Sequence, residues 1–298
     1  MLDDAASLQP AERSFQIMSH SPQRTLACIL TFLAAAALQP ARAADDFSRT
    51  DVETPSPVTD HFAFQVSFLH ASVNTDLRLD PPGQALGGTA LSGTKDLGFH
   101  PSENDGMVEL LFRLRDRNRI RADYLELDQS GTTTLTRPIV FGDQVFSRGD
   151  SVNAALQWRV MGLTWTYAIF QNDRFELGAG LGVHIMDLDV RGNVPARFAS
   201  YETSTAGALP TPALEAAVRI TRRISVTARG QYLHAARNGT AGVMQDFHAD
   251  AQFRWAPNFA IGAGYSLVRL KLETNSDSDP GMLGIRLRGP EVFVRASF

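Results

Sequence analysis

Cysteine is almost absent. The 298-residue chain has one, Cys28, so it can form no intramolecular disulfide and no thiolate metal cluster. Lysine is nearly as scarce, with Lys95 and Lys271 the only two, and the net charge is −4. That balance argues against nucleic acid as a partner, because such domains are normally basic. Hydrophobic residues make up 44% of the chain, yet no run of 18 apolar residues occurs. The sequence therefore has no membrane-spanning helix. Spanning strands leave a weaker trace, since half their residues face inward.

What the chain does have is alternation. At its end, Val292, Val294, Ala296 and Phe298 are apolar, and Glu291, Arg295 and Ser297 lie among the residues between. A two-residue period gives one apolar and one polar face of a strand. The same period marks further strands at 62–68, 108–114, 120–125, 152–170, 175–185, 214–220, 224–229, 247–255, 259–272 and 283–298, with 108–114 and 120–125 forming a close pair. The connections at 116–118, 171–173, 221–223 and 256–258 are tight. Those near 81–104, 129–150, 191–210, 238–239 and 274–281 read as longer polar loops. Three strands shift their apolar phase, at Gly162, before Val268 and at Gly289-Pro290. A glycine at such a point predicts a β-bulge or a slip.

The alternating end that closes on Phe298 resembles the assembly signal of Gram-negative outer-membrane β-barrels. The segment from Arg121 to His184 is similar to a group of uncharacterised proteobacterial outer-membrane proteins. The resemblance implies an all-β fold, a transmembrane antiparallel up-and-down barrel of about ten strands at 61–298. It also implies short periplasmic turns, long extracellular loops and an outer-membrane location. The expected partners are the lipid bilayer, lipopolysaccharide and the barrel-assembly machinery. Outward Trp158, Trp165, Tyr167, Trp255 and Phe298 are expected in aromatic girdles.

The other end of the chain fits export. Thr25 to Leu38 is an apolar stretch of h-region length, flanked by Arg24, and Ala41-Arg42-Ala43 suits cleavage after Ala43. Residues 1–43 thus read as a signal region whose true start is Met18, followed by a short periplasmic lead at 44–60. Cys28 lies inside the apolar run, whereas a lipid-modified cysteine should end it.

In such a barrel the polar strand faces line the lumen. They hold Glu109, Arg113, Arg121, Asp123, Arg159, Glu176, His184, Glu215, Arg219, Arg229, His248, Asp250, Arg254, Arg269, Arg286 and Arg295. Ten strands enclose a narrow interior, so charges of both signs predict a lumen filled by ion pairs. Arginine suits that role through its bidentate fork. The inward glycines Gly178, Gly180 and Gly182 are expected to make room for arginines from the facing wall. The strand alternation continues past them, so they do not form a nucleotide loop.

His184 and His248 show no ligand spacing with a third carboxylate, so lumen hydrogen bonding is expected of them, with no metal or cofactor. The chain is read as non-catalytic, with a structural or narrow porin-like role. The alternative lies at Asp246-Phe247-His248 with Glu126 and Asp128. These resemble the Asp-x-His pair and acidic pair of omptin-type outer-membrane proteases, which implies water activation by a histidine base at the extracellular rim. Glu126 stands where that family has aspartate. A lipid A deacylase motif near His234 lacks its serine, because Ala236 occupies that position.

Overall fold

The alternating segments form strands longer than the apolar period alone suggests. The computed structural model describes residues 56–298, apart from 82, 84–86, 143, 195–198, 238 and 276–279. The signal region, the Met18 start and the Ala43 cleavage point lie outside the described residues. Ten long strands follow one another: β1 Phe62–Leu79, β2 Ser102–Leu114, β3 Asn118–Thr134, β4 Ser151–Gln171, β5 Phe175–Val194, β6 Ala199–Arg219, β7 Ile224–Arg237, β8 Thr240–Ala256, β9 Phe259–Thr274 and β10 Gly281–Ser297. Each pairs antiparallel with its neighbours in sequence, and β10 pairs with β1. The sheet closes into a barrel and leaves no long edge unpaired.

The closure runs through the chain terminus. Phe298 accepts backbone hydrogen bonds from His61 and Phe62, and its own N–H donates to Phe62 at 2.8 Å. The rings of Phe62 and Phe298 stack 6.2 Å apart. The pairing of Phe64 with Ala296, Val66 with Val294 and Phe68 with Val292 continues the seam upward.

The tight connections all lie at one end of the barrel, the turn end, and the longer ones at the other, the loop end. Two of the expected loops are mostly strand. Residues 191–194 extend β5 and 199–210 belong to β6, while 129–134 extend β3. The outer positions Ser130, Thr132 and Thr134 of β3 and Arg191 and Asn193 of β5 are polar, so the apolar alternation that marks a strand stops short of them. The true loops fold inward. A two-residue strand, Leu91–Ser92, adds to β1, a single helical turn covers Gly93–Asp96, and a small hairpin joins Ile139–Phe141 to Gln144–Phe146. No helix among the described residues is long and apolar enough to cross a membrane.

The wall has two zones. From the turn end to Phe68, Tyr124, Phe247 and Tyr265, outward side chains are apolar and inward ones mostly polar, with Leu111 and Phe293 among the exceptions. Trp255, Phe253, Ala251, Ala249 and Phe247 show the outward row on β8. Aromatics sit at both edges of this band, with Phe112, Trp165, Tyr167, Trp255 and Phe298 exposed toward the turn end and Phe62 half-buried beside them. Nearer the loop end the polarity is reversed. Val152, Ala154, Leu156, Trp158 and Val160 of β4 point inward and are buried, while Asn153, Gln157 and Arg159 point outward. The inward set joins Leu127, Leu188, Val190, Met244, Leu270, Ile285 and Leu287 in one apolar core.

This reversal corrects the expected slips. Pairing runs without a break from Asn118–Tyr167 to Thr134–Ser151 across Gly162, and from Phe259–Ala296 to Thr274–Gly281 across Gly289 and Pro290. The register is constant, and it is the chemistry of each face that changes. Trp158 is 0% exposed and belongs to the core, so it is no part of a girdle. Arg159, Arg269 and Arg286 lie on the outer wall and do not line the lumen. Each alternates with buried neighbours: Trp158 and Val160, Val268 and Leu270, Ile285 and Leu287.

Candidate functional site

The interior of the band is polar, and its side chains come from every wall. Glu109, Arg113, Arg121, Asp123, Glu176, His184, Glu215, Arg219, Arg229, His248, Asp250, Arg254 and Arg295 occupy inward positions of their strands. They sort into layers.

At the turn end the described part of the lead, residues 56–60, folds into the barrel. Ser56, Val58 and Asp60 are buried there. Arg113 donates to the carbonyls of Asp60 (3.1 Å) and Pro57 (3.3 Å), and Arg295 pairs with Asp60 Oδ2 at 2.6 Å. The described end of the expected periplasmic lead is thus tucked into the barrel as a plug, where Asp60 gives Arg295 its ion pair.

Above the plug lies a charge lattice. Glu176 pairs with Arg113 (2.9 Å) and Arg119 (3.0 Å). Glu215 receives Arg119 (3.0 Å), Arg121 and the Thr166 hydroxyl (3.1 Å). Glu109 is shared by Arg121 (3.3 Å) and Arg229. Such buried lattices gain from Coulomb attraction but lose hydration, so they depend on every partner being present. A gap of about 20 Å³ lies between Glu109, Arg121, Glu215, Arg229 and Asp250, room for roughly one water.

The third layer is a hydrogen-bonded cluster. His248 Nε2 lies 2.6 Å from Asp246 Oδ1, and His184 Nε2 lies 3.4 Å from Asp246 Oδ2. Ser266 donates to Glu291 at 2.7 Å and faces His248 Nδ1 at 2.7 Å. Gln231 receives Thr211 (2.6 Å) and donates to Thr164 (3.1 Å). Gly182 serves this cluster, since a Cβ there would come within 2.2 Å of Gln231 Oε1. The space it leaves is used by a glutamine and two threonines, not by the arginine expected. The apolar core closes the layer from the loop end, and Leu91, Leu97, Phe99, Leu135, Ile139 and Phe146 of the loops cap that core.

The structure separates the residues of the protease-like set. Asp246 and His248 do touch, but both are buried, 4% and 5% exposed, beneath the apolar core. Glu126 and Asp128 point outward. Glu126 instead binds Gln157 (2.9 Å), Arg159 (3.1 Å) and Tyr124 (3.1 Å) on the outer surface, where Arg159 also reaches Asp187 (3.3 Å). The carboxylate brought near His184 and Asp246 is Asp123.

Several lumen residues escape the sequence reading. Arg119 stands on the inward phase as the second residue of β3 and could have been found by extending the alternation one step. Glu291 is visible as the polar face of the terminal strand. Asp60 lies in a lead with no period, and nothing local marks it.

No sequence-family profile matches the chain, and no curated protein sequence is significantly similar to it. Among solved structures, the outer-membrane protease OmpT of Escherichia coli is similar over 84% of this chain and 100% of its own, at 9% identity and a TM-score of 0.49. Ail, the attachment invasion locus protein of Yersinia pestis, matches over 78% of this chain and 99% of its own, at 11% identity and a TM-score of 0.32. Neisserial surface protein A matches over 80% and 97%, at 10% identity and a TM-score of 0.32. At these identities no residue role passes from one chain to another.

Proposed function

We propose that the protein is a non-catalytic barrel of the bacterial outer membrane, with no through pore. The band spans the bilayer and the apolar-cored half stands outside the cell. The observation that carries this is the filling of the lumen by successive layers: plug, charge lattice, hydrogen-bonded cluster, apolar core and loop cap. The nine residues from Phe247 to Trp255 match the ~9–11 that a tilted strand needs to cross a bilayer. The turn end then faces the periplasm, because short turns lie on that side of such barrels. The role is to hold a rigid surface above the membrane. Planar-bilayer recording tests the sealed lumen: the expected result is no steady current, and steady nanosiemens-scale conductance would overturn it.

Lipopolysaccharide is the partner this reading supplies. Arg269 and Arg286 face each other directly across β9 and β10, with Arg288 and Lys271 beside them, on the outer wall above the apolar band. Like charges opposite each other in a sheet destabilise it, and a phosphate group at headgroup level would offset that repulsion. Among the described residues none of these three arginines has an ion-pair partner. Replacing Arg269 and Arg286 together by Gln should remove most of the thermal stabilisation that added lipopolysaccharide gives the detergent-solubilised barrel. Unchanged stabilisation would count against the site.

A second reading, an omptin-like surface hydrolase, is favoured by one contact, the 2.6 Å approach of His248 to Asp246. Cleavage of a peptide library by whole cells, lost in His248→Ala, would support it.

A further inference from the structure

The hydrogen-bonded cluster contains one carboxylate that its surroundings do not explain. Glu109, Glu176, Glu215 and Asp60 are each held by arginine. Asp123 is not: no ion pair reaches it among the described residues, and its Oδ1 is shut off from solvent with no hydrogen-bond partner. A buried carboxylate oxygen in that state is costly. Asp123 nonetheless turns toward the cluster, and Gly162 on the adjacent strand makes this possible. A Cβ at Gly162 would lie 2.4 Å from Asp123 Oδ2.

Around that carboxylate the geometry is that of a ligand set. Asp123, His184 and Asp246 each offer one donor atom, and these lie within 4.8 Å of one another. The His184 Nε2 to Asp246 Oδ2 distance of 3.4 Å is long for a charge-assisted hydrogen bond. It equals the edge of a tetrahedron whose metal–ligand bonds are about 2.0–2.1 Å. The outer partners are also in place. His184 Nδ1 faces the Thr211 hydroxyl at 3.5 Å, so a proton on that nitrogen leaves Nε2 free to donate its lone pair. His248 holds the other oxygen of Asp246, which fixes the carboxylate's orientation.

We propose that Asp123, His184 and Asp246 bind one divalent first-row transition-metal ion of the zinc type, which ties β3, β5 and β8 together inside the barrel. A nitrogen among the ligands disfavours calcium and magnesium, and the absence of thiolates disfavours copper(I). The ion is structural, because the apolar core and the charge lattice close the layer on both sides, and it enters while the barrel folds. The inference stands apart from the role proposed above: a metal strut fits a barrel with or without a surface activity.

The test uses the full mature chain without a polyhistidine tag, unfolded in urea with a chelator and refolded into detergent with either Zn²⁺ or Co²⁺. The expected result is one retained zinc per folded barrel by elemental analysis, and a visible cobalt absorption band of a site with nitrogen and oxygen ligands. Asp123→Asn and His184→Ala should retain at least ~10-fold less metal while still migrating as heat-modifiable folded barrels. His234→Ala, which alters an exposed outward histidine, should retain the full equivalent. Wild-type barrel refolded with Zn²⁺ but holding none would overturn the proposal. So would equal retention by folded Asp123→Asn and His184→Ala.

Discussion

Glu215 shows how much one side chain can carry in this lumen. It accepts two guanidinium groups and a hydroxyl while buried inside the barrel. Replacing it by Ala leaves Arg119 and Arg121 with fewer partners in a medium that penalises bare charge. The expected cost is about 3–5 kcal/mol, read as a lower urea midpoint for the barrel in detergent. Exchange at Arg159, which is paired on the outer surface with Glu126 and Asp187, should cost under ~1 kcal/mol. Arg121 and Arg159 look alike in sequence, each standing between apolar residues on a strand. Which face a residue occupies follows from its phase, and the phase carries function only once the height along the barrel is known. That is why Arg113, Arg121 and Arg229 were legible as lumen residues and Arg159, Arg269 and Arg286 were not. The contact between Asp123, His184 and Asp246 was hidden for another reason. It joins three strands far apart in sequence, and no spacing rule reaches that far.

At the scale of the strand, the period of two survives the whole length while its meaning changes once. The apolar phase moves from the outer to the inner face near Gly162 on β4 and near Val268 on β9. In a uniform bilayer-spanning strand this would require a slipped residue. In the proposed outer-membrane placement the strand leaves one solvent for another, and the same backbone register serves both. Strand existence, order and the tight turns were therefore readable, whereas strand length was not, because polar outer residues such as Ser130, Thr132, Arg191 and Asn193 mimic loops. Two substitutions separate the zones. Ala251→Arg places a charge outward in mid-band and should cost about 2–4 kcal/mol in lipid. Asn153→Arg, outward on β4 among polar neighbours, should cost under ~0.5 kcal/mol. Trp158→Ala should open a cavity in the upper core at about 3–5 kcal/mol. Had Trp158 been a girdle residue, the loss would be much smaller.

For the molecule as a whole, closure and filling are separate achievements. Closure depends on the terminus: Phe298 supplies the last backbone bonds of the seam with Phe62, and the row Val292, Val294, Ala296 continues it on the outer face. Deletion of Phe298 should reduce the yield of heat-modifiable barrel in outer-membrane fractions. Filling depends on side chains of opposite sign below and apolar side chains above. The upper half therefore resembles a water-soluble barrel and the lower half an inside-out one. The central claim is that these halves meet two different solvents. The chain's single cysteine, Cys28, can be replaced by Ser, and single cysteines then introduced at outward positions of both zones. Labelling of intact cells with a membrane-impermeant maleimide should be rapid at Arg159→Cys, Asp189→Cys and Arg269→Cys. It should be at least ~10-fold slower at Ala249→Cys, Ala251→Cys and Val292→Cys. Equal labelling of the two sets, or protection of the first, would contradict the account.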